Sequence, residues 1–404
     1  MADVGDGEYT KGQVVDTHSE VPVQFQAVSP VDSECFFGYY DKPPWDSSSR
    51  FLLGLNPSVS RKQPTGDDSA TVGLIDLQSG SEWIPLATTY AWNWQQGSML
   101  HWLPSQPERL VTYNTRVDSR HAAVIHDVTT GGTETLTRPI YALSPDGSNA
   151  ISVNFSRIAR TRPGYGYEGV DDPGLGELHP DDDGIWMTSM MTGESDLIIT
   201  LAKAAALEPK PSMDDAVHWF NHLQFSPDGS RFLFLHRWSK DGVSRRTRML
   251  TAGLDGSDER IIADDEMTSH FDWRDRGTIL AWATKSGLGD HYYLFDAITG
   301  EATTMGEDTL TADGHCSYSP DRKWILSDMY PDDSGDRVLF LYNPKQQRRI
   351  DIGRLFSPPE LTGPLRCDLH PRWSRDGRSV CIDSAHEGYR RIYIGDASDI
   401  VDGG

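Results

Sequence analysis

Short runs of alternating apolar and polar residues follow one another along the chain, most of them closed by a tight polar turn. A period of two between turn signals predicts many short strands, each with one buried face. Two phrases recur within this pattern. The first is a histidine, two residues, an aromatic and a polar turn: His222-Leu-Gln-Phe225, His270-Phe-Asp-Trp273, His315-Cys-Ser-Tyr318 and His370-Pro-Arg-Trp373. Aligned on the same turn, Asp41, Met99 and Ile140 take the histidine position in earlier segments, which makes seven copies. The second phrase is an apolar strand entering a Gly turn, as at Leu74–Gly80, Ile125–Gly131 and Leu294–Gly300. The two phrases alternate at steps of about 40–60 residues, as four short strands per unit require.

Seven such units predict an all-β fold, a seven-bladed β-propeller. Few residues follow Asp396, too few for a last outer strand, and Val21–Ala27 alternates at period two. We therefore expect residues 21–27 to complete the last blade and close the ring. The expected organisation is a poorly ordered extension over 1–20 and a single propeller domain over 21–404. One step, from Ile140 to His222, is much longer than the rest. Its excess, about residues 157–184, is rich in Gly, Pro and Asp and reads as a long functional loop.

Composition narrows the choice of partners. The formal net charge of −23 argues against nucleic acid, because no broad basic face is available to release counter-ions. It does not exclude an acidic ligand. Surface charge is screened within about 10 Å, and Arg116, Arg120, Arg157, Arg160 and Arg162 fall in one stretch. No apolar run reaches membrane-spanning length and the N-terminus lacks the shape of a signal peptide. The expectation is a monomer without a membrane partner, either cytoplasmic or the mature form of a secreted protein.

Four histidines in one register of a closed repeat gather around a common axis. Of the four cysteines, Cys316 and Cys367 stand beside repeat histidines, which points to metal chemistry more than to bridging. His315, Cys367 and His370 offer three ligands from adjacent blades, and Asp272, His270 or Asp368 could complete the shell. A thiolate biases such a set towards zinc, so Zn2+ in a structural role is expected, with Mn2+ or Ca2+ as alternatives. Taken singly, each histidine is better explained by a hydrogen bond to the next blade; the cluster with Cys367 is what favours a metal. His222 is the member most suited to face a substrate.

The first half of the chain carries a second constellation: His101, His121, Arg157, Tyr165 and Tyr167. Two histidines, a tyrosine and an arginine suit proton abstraction beside a carboxylate. The arginine neutralises the carboxylate, a neutral histidine or a tyrosinate takes the proton, and a protonated partner assists the leaving oxygen. A tyrosine serves as base only where a cation lowers its pKa. Arg162 and Tyr141 join His222 as candidate substrate-binding residues.

Asn154-Phe-Ser-Arg157, Arg162-Pro-Gly-Tyr-Gly-Tyr167 and Arg366-Cys-Asp-Leu-His-Pro-Arg-Trp373 resemble segments of the seven-bladed polysaccharide lyases, above all ulvan lyases and more distantly oligogalacturonate lyases. The resemblance implies cleavage of a uronic-acid-containing glycan, polysaccharide or oligosaccharide, by β-elimination. The ulvan-type set would map onto His101, His121, Tyr165 or Tyr167, and Arg157, with Tyr141 as a rival tyrosine. A structural zinc would fall at His315, Cys367 and His370. Oligogalacturonate-type enzymes instead use a catalytic metal held by histidines and a glutamine, and Leu365–His370 contains no glutamine. The alternatives are a non-catalytic propeller that scaffolds or binds proteins, and a glycoside hydrolase, for which Asp41 has no evident second carboxylate.

Overall fold

The computed structural model describes residues 17–403. They form seven small sheets in a ring, a seven-bladed β-propeller whose strands pair antiparallel within each blade, apart from one added parallel strand. The innermost strands of blades two to seven begin at His101, Ala142, Val217, Thr268, Ser317 and Arg372. The Ser-Pro-Asp turns repeat one chemistry. The serine hydroxyls of Ser226, Ser319 and Ser374 donate to Asp228, Asp321 and Asp376 at 2.6–2.7 Å. Gly147, Gly229 and Gly377 close their turns at φ near +70°, a region glycine enters without steric cost. The aromatic of each phrase, such as Phe225, Trp273, Tyr318 or Trp373, is buried between blades.

Blade one departs from the repeat. Its sheet has three strands, Phe51–Pro57, Ala70–Asp76 and Glu82–Thr89. The inner edge is reduced to bridges between Phe36 and Leu55 and between Trp45 and Leu52. Between those bridges the chain enters the axis as Tyr39 and Tyr40. Gly38 permits this approach: its φ is +134°, and a Cβ there would stand 2.8 Å from the Gln96 carbonyl oxygen. Tyr40 is fixed by blade five, its hydroxyl donating to the Phe271 carbonyl (2.9 Å) and accepting from the Phe271 amide (3.0 Å).

The N-terminal strand closes the ring over a shorter span than expected. Phe25–Ala27 pairs antiparallel with Arg391–Asp396 as the outer strand of blade seven. Val21 and Val23 instead donate to the Asp351 and Ile352 carbonyls of blade six, and His18–Glu20 pairs in parallel with Arg349–Asp351. Residues 1–16 of the expected extension lie outside the described residues. Among those described, no helix is long and apolar enough to cross a membrane.

The long step falls inside blade three, between its strands Asn149–Ser152 and Gly184–Ser189, and contains a helix, Phe155–Thr161. The Asn154 side chain accepts from the Arg157 amide (3.0 Å) and caps this helix. Behind it, blade four holds a buried relay. Arg248 Nε donates to His236 Nδ1 (3.1 Å), so His236 Nε2 carries its proton to His218 Nδ1 (2.8 Å), and His218 Nε2 faces the Met213 carbonyl (3.4 Å).

Candidate functional site

The repeat histidines do converge on the axis. The His270 and His315 rings lie 4.1 Å apart and those of His315 and His370 4.4 Å apart. Tyr39 stacks on His222 at 5.0 Å and meets the His370 edge at 5.0 Å. The shared register is visible in the backbone: Met99, His222 and His370 have φ of +51°, +50° and +41°. Met99 and His370 stand just before their inner strands, and His222 at the bulge within Val217–Phe225.

On one face these rings underlie a cleft of about 490 Å³, lined by Arg162, Tyr165, Arg245, His270, Tyr330 and Arg366 among others. His315, Asp368 and His370 adjoin that lining, His315 through the His270 ring and Asp368 through Arg366, and one donor atom from each lies within 4.8 Å of the others. These residues fit a divalent metal. The buried Nε2 atoms of His315 and His370 have no hydrogen-bond partner among the described residues. His315 Nδ1 is held by the Asp328 carboxylate at 2.8 Å, which leaves Nε2 as the electron donor. Asp368 is anchored by Arg337 at 2.8 Å and Arg366 at 2.6 Å. Despite burial, those guanidinium groups hold the Asp368 carboxyl far below the usual carboxylate range. Burial works against a charged His315, but Asp328 outweighs it and raises the pKa. Burial pushes His370 well down.

This set corrects the metal prediction in two ligands. Cys367 packs against Leu361 and Ala385, away from the donor cluster, and burial pushes its thiol up to about 11. Its neighbour Asp368 takes the inward place. Asp272 is also elsewhere, at the opposite end of the channel, where it accepts from Gln224 (3.0 Å) and from the Tyr318 amide (2.8 Å). Without the thiolate, the softness argument for zinc lapses, since a set of two imidazoles and a carboxylate also suits manganese or iron.

Above the donors, His270 Nδ1 meets Asp313 at 2.9 Å. Burial lowers the His270 pKa in spite of that carboxylate, favouring a neutral ring whose other nitrogen can accept a proton. The Arg162 guanidinium lies 3.5 Å over the Tyr165 ring, and Arg366 donates to the Tyr165 hydroxyl (2.6 Å). Burial would raise the Tyr165 pKa, but Arg162 and Arg366 together bring it down to about 8. Arg245 has no hydrogen-bond or ion-pair partner among the described residues, and repulsion from Arg162, followed by desolvation, lowers it to about 10. The cleft is thus a cationic mouth on an anionic molecule.

The Gly-Tyr-Gly-Tyr segment explains how only one of its tyrosines arrives here. A Cβ on Gly166 would stand 2.0 Å from the Ala159 amide nitrogen, so the loop lies directly on the helix backbone. Tyr165 then turns into the cleft while Tyr167 stacks on Phe155 (4.3 Å) and accepts from Asn114 (3.1 Å). Arg162 also reaches His222, donating to its Nε2 (2.9 Å), so His222 lies beneath the cleft as a buried acceptor.

The other residues of the first-half constellation do not join this cleft. Arg157 is 1% exposed, and its guanidinium donates to the carbonyls of His218, Gly174, Glu177 and Leu178 at 2.7–3.1 Å. It organises the loop and has no N–H left over for a substrate carboxylate. Tyr141 is fully buried, bonded to Asn221 (2.9 Å) and Gln96 (2.8 Å), and burial raises its pKa. His101 lines the opposite mouth, and His121 lines a separate hollow with Arg120 and Arg138. Asp368, expected only as an optional fourth ligand two residues before a repeat histidine, takes a full place in the donor set. Asp313, Asp328, Arg245 and Arg366 were missed.

No protein-family model and no curated protein matches this chain. Solved structures do. An oligogalacturonate lyase from Vibrio parahaemolyticus is 16% identical, with 93% of this chain and 97% of that chain covered and a TM-score of 0.63. An oligogalacturonate lyase in complex with manganese is 17% identical, with 95% and 98% covered and a TM-score of 0.67. A prolyl endopeptidase structure is 9% identical, with 91% and 48% covered and a TM-score of 0.51. At these identities the likeness is one of fold.

Proposed function

We propose that the chain is a metal-assisted lyase that cleaves acidic oligosaccharides at a uronate by β-elimination. The observation that carries this reading is that the His315, Asp368 and His370 donor set adjoins a cleft holding the His270–Asp313 pair and the unpaired Arg245. The full-length likeness to two oligogalacturonate lyases, one of them holding manganese, supports the same class. It also favours an oligogalacturonate over an ulvan as substrate, because His101, His121 and Arg157 stay apart from the cleft.

The reaction removes the proton on the carbon beside the uronate carboxylate, forms a carbon–carbon double bond and expels the glycosidic oxygen. A divalent cation, if held by His315, Asp368 and His370, would supply charge neutralisation for the carboxylate and so acidify that proton. Arg245 and Arg162 bind and orient carboxylates by charge-assisted hydrogen bonds. His270, neutral and steered by Asp313, takes the proton. Tyr165, poised near pH 8 between Arg162 and Arg366, gives a proton to the leaving oxygen. Arg366 also ties Tyr165 to Asp368, so the proton donor and a member of the donor set are held by one side chain.

The test is near-ultraviolet absorbance of unsaturated uronate product on oligogalacturonate and on ulvan, before and after chelation and with Mn2+ or Zn2+ restored. Product from oligogalacturonate that disappears on chelation supports the reading in full. Product from ulvan alone would move the substrate to the ulvan class. Absence of product from every uronate glycan would overturn the lyase reading in favour of a binding propeller.

A further inference from the structure

The opposite mouth of the axial channel is a second charged cleft. Two confluent hollows of about 340 and 380 Å³ share Asp41, Lys42, Gln224, Asp272, Arg322 and Arg375. Neither shares a lining residue with the metal cleft. Each is within the size range of small-molecule sites, about 300–1,000 Å³.

The floor is built from buried charge. Lys42 is 2% exposed, and Asp41 accepts from its ammonium at 2.7 and 2.9 Å. An ammonium has three donors, so one N–H is left for whatever enters. Beside it, His101 Nε2 is buried with no partner among the described residues. At the rim, Arg322 spends one nitrogen on the Trp273 carbonyl (2.9 Å) and on an ion pair with Asp272 (3.7 Å), and Arg375 spends its Nε on the Trp45 and Asp46 carbonyls (3.0 Å each). The remaining guanidinium N–H groups are free to pair with an oxyanion, the geometry for which arginine is suited. Acceptors stand opposite: the carboxylates of Asp41 and Asp272, and Gln224 Oε1, which has no partner among the described residues. Three cationic side chains thus face two carboxylates, around a hollow that offers both donors and acceptors.

We propose that this mouth is a second binding site for a small hydroxylated ring bearing one oxyanion. The oxyanion pairs with Arg322, Arg375 and the free N–H of Lys42, and ring hydroxyls donate to Asp41, Asp272 and Gln224. Such a ligand could be a free uronate or a hexose phosphate, which share this chemistry. The site is defined by binding alone and does not rest on the lyase reading.

Calorimetric titration of the metal-loaded full chain tests it, with galacturonate, glucose 6-phosphate and neutral galactose as probes. Binding of galacturonate or of glucose 6-phosphate is expected, and which of the two binds identifies the source. Galactose should bind at least tenfold more weakly. The Arg322→Gln/Arg375→Gln double variant, changed only at the exposed rim, should weaken the bound probe at least tenfold, while Arg245→Met at the other mouth leaves that affinity unchanged. The proposal is overturned if neither anion binds. It is overturned equally if the double variant binds as well as wild type, or if Arg245→Met abolishes the only binding seen.

Discussion

In the proposed reaction His270 takes a proton and Tyr165 gives one. A general acid–base group contributes roughly a hundred- to ten-thousand-fold to rate, so His270→Ala and Tyr165→Phe should each lower kcat on that order with a small change in KM. Steady-state kinetics on oligogalacturonate checks both. Asp368→Asn should lose stoichiometric metal on elemental analysis, whereas Cys367→Ser should retain it, since the thiol packs against Leu361 and Ala385. The pair shows what the sequence could and could not disclose. The histidine register accounts for the His315 and His370 rings lying together, because a repeat fixes which residues face the axis. It could not say which of two adjacent residues in extended backbone turns inwards, since neighbours there point to opposite sides. Thiolate affinity favoured Cys367, but the side chains of Arg337 and Arg366 stabilise a carboxylate at 368. Arg337 lies on a separate strand, Asp336–Asn343, beyond the reach of any local pattern.

The element that sets up the cleft is the loop after the Phe155–Thr161 helix, and Arg157 is its anchor. Removing that guanidinium leaves four carbonyls without their donor, and a buried unsatisfied group costs about 1–3 kcal/mol. Arg157→Met should therefore lower the melting temperature and open the loop to proteolysis, and added guanidinium should not restore rate as it would for a catalytic arginine. Gly166→Ala should do similar damage, because its methyl meets the helix backbone. The relay in blade four adds a pH dependence. Burial, first among its causes, lowers His218 to about 4, while an unfolded histidine titrates near 6.5. The folded chain then refuses a proton that the unfolded chain accepts, so stability is full above about pH 6.5, falls as pH drops towards 4 and levels off below. Each tenfold difference in proton affinity is about 1.4 kcal/mol, so His218 contributes on the order of 3 kcal/mol to that loss, and burial-lowered His236 adds to it. Denaturant midpoints across pH 4–7, compared with His218→Gln, measure the effect. The sequence marked this stretch as anomalous in length but not its role: Arg157 looked catalytic because its carbonyl partners are backbone groups, which carry no residue signature.

For the molecule as a whole, charge is distributed against its average. With a net charge of −23, the shell repels acidic glycans at long range, while Arg162, Arg245 and Arg366 attract them at the mouth. Salt screens the distant repulsion first, over about 10 Å at 0.1 M. Raising ionic strength from low values should therefore first increase kcat/KM on oligogalacturonate and then reduce it as the arginine contacts are screened too. Stopped-flow or initial-rate measurements from about 10 mM to 1 M salt resolve the maximum. Seven blades were legible in the spacing of the two phrases; the substitution of Tyr39 and Tyr40 for a regular inner strand in blade one was not, because the strand there breaks where the repeat is weakest.

Ring closure by Phe25–Ala27 also fixes the order in which the chain can finish folding. The strap that joins blades six and seven is made first by the ribosome, and both of its partners are made last. During synthesis at about 5–20 residues per second, this segment has an exposed edge and nothing native to pair with. The intermediate blades can assemble as they emerge, each on its neighbour, but the circle stays open until the final strand is released. The last cooperative step therefore waits until the seventh blade has been made. A circular permutant that moved the strap behind Asp396 would turn the longest-range contact in the molecule into a local one.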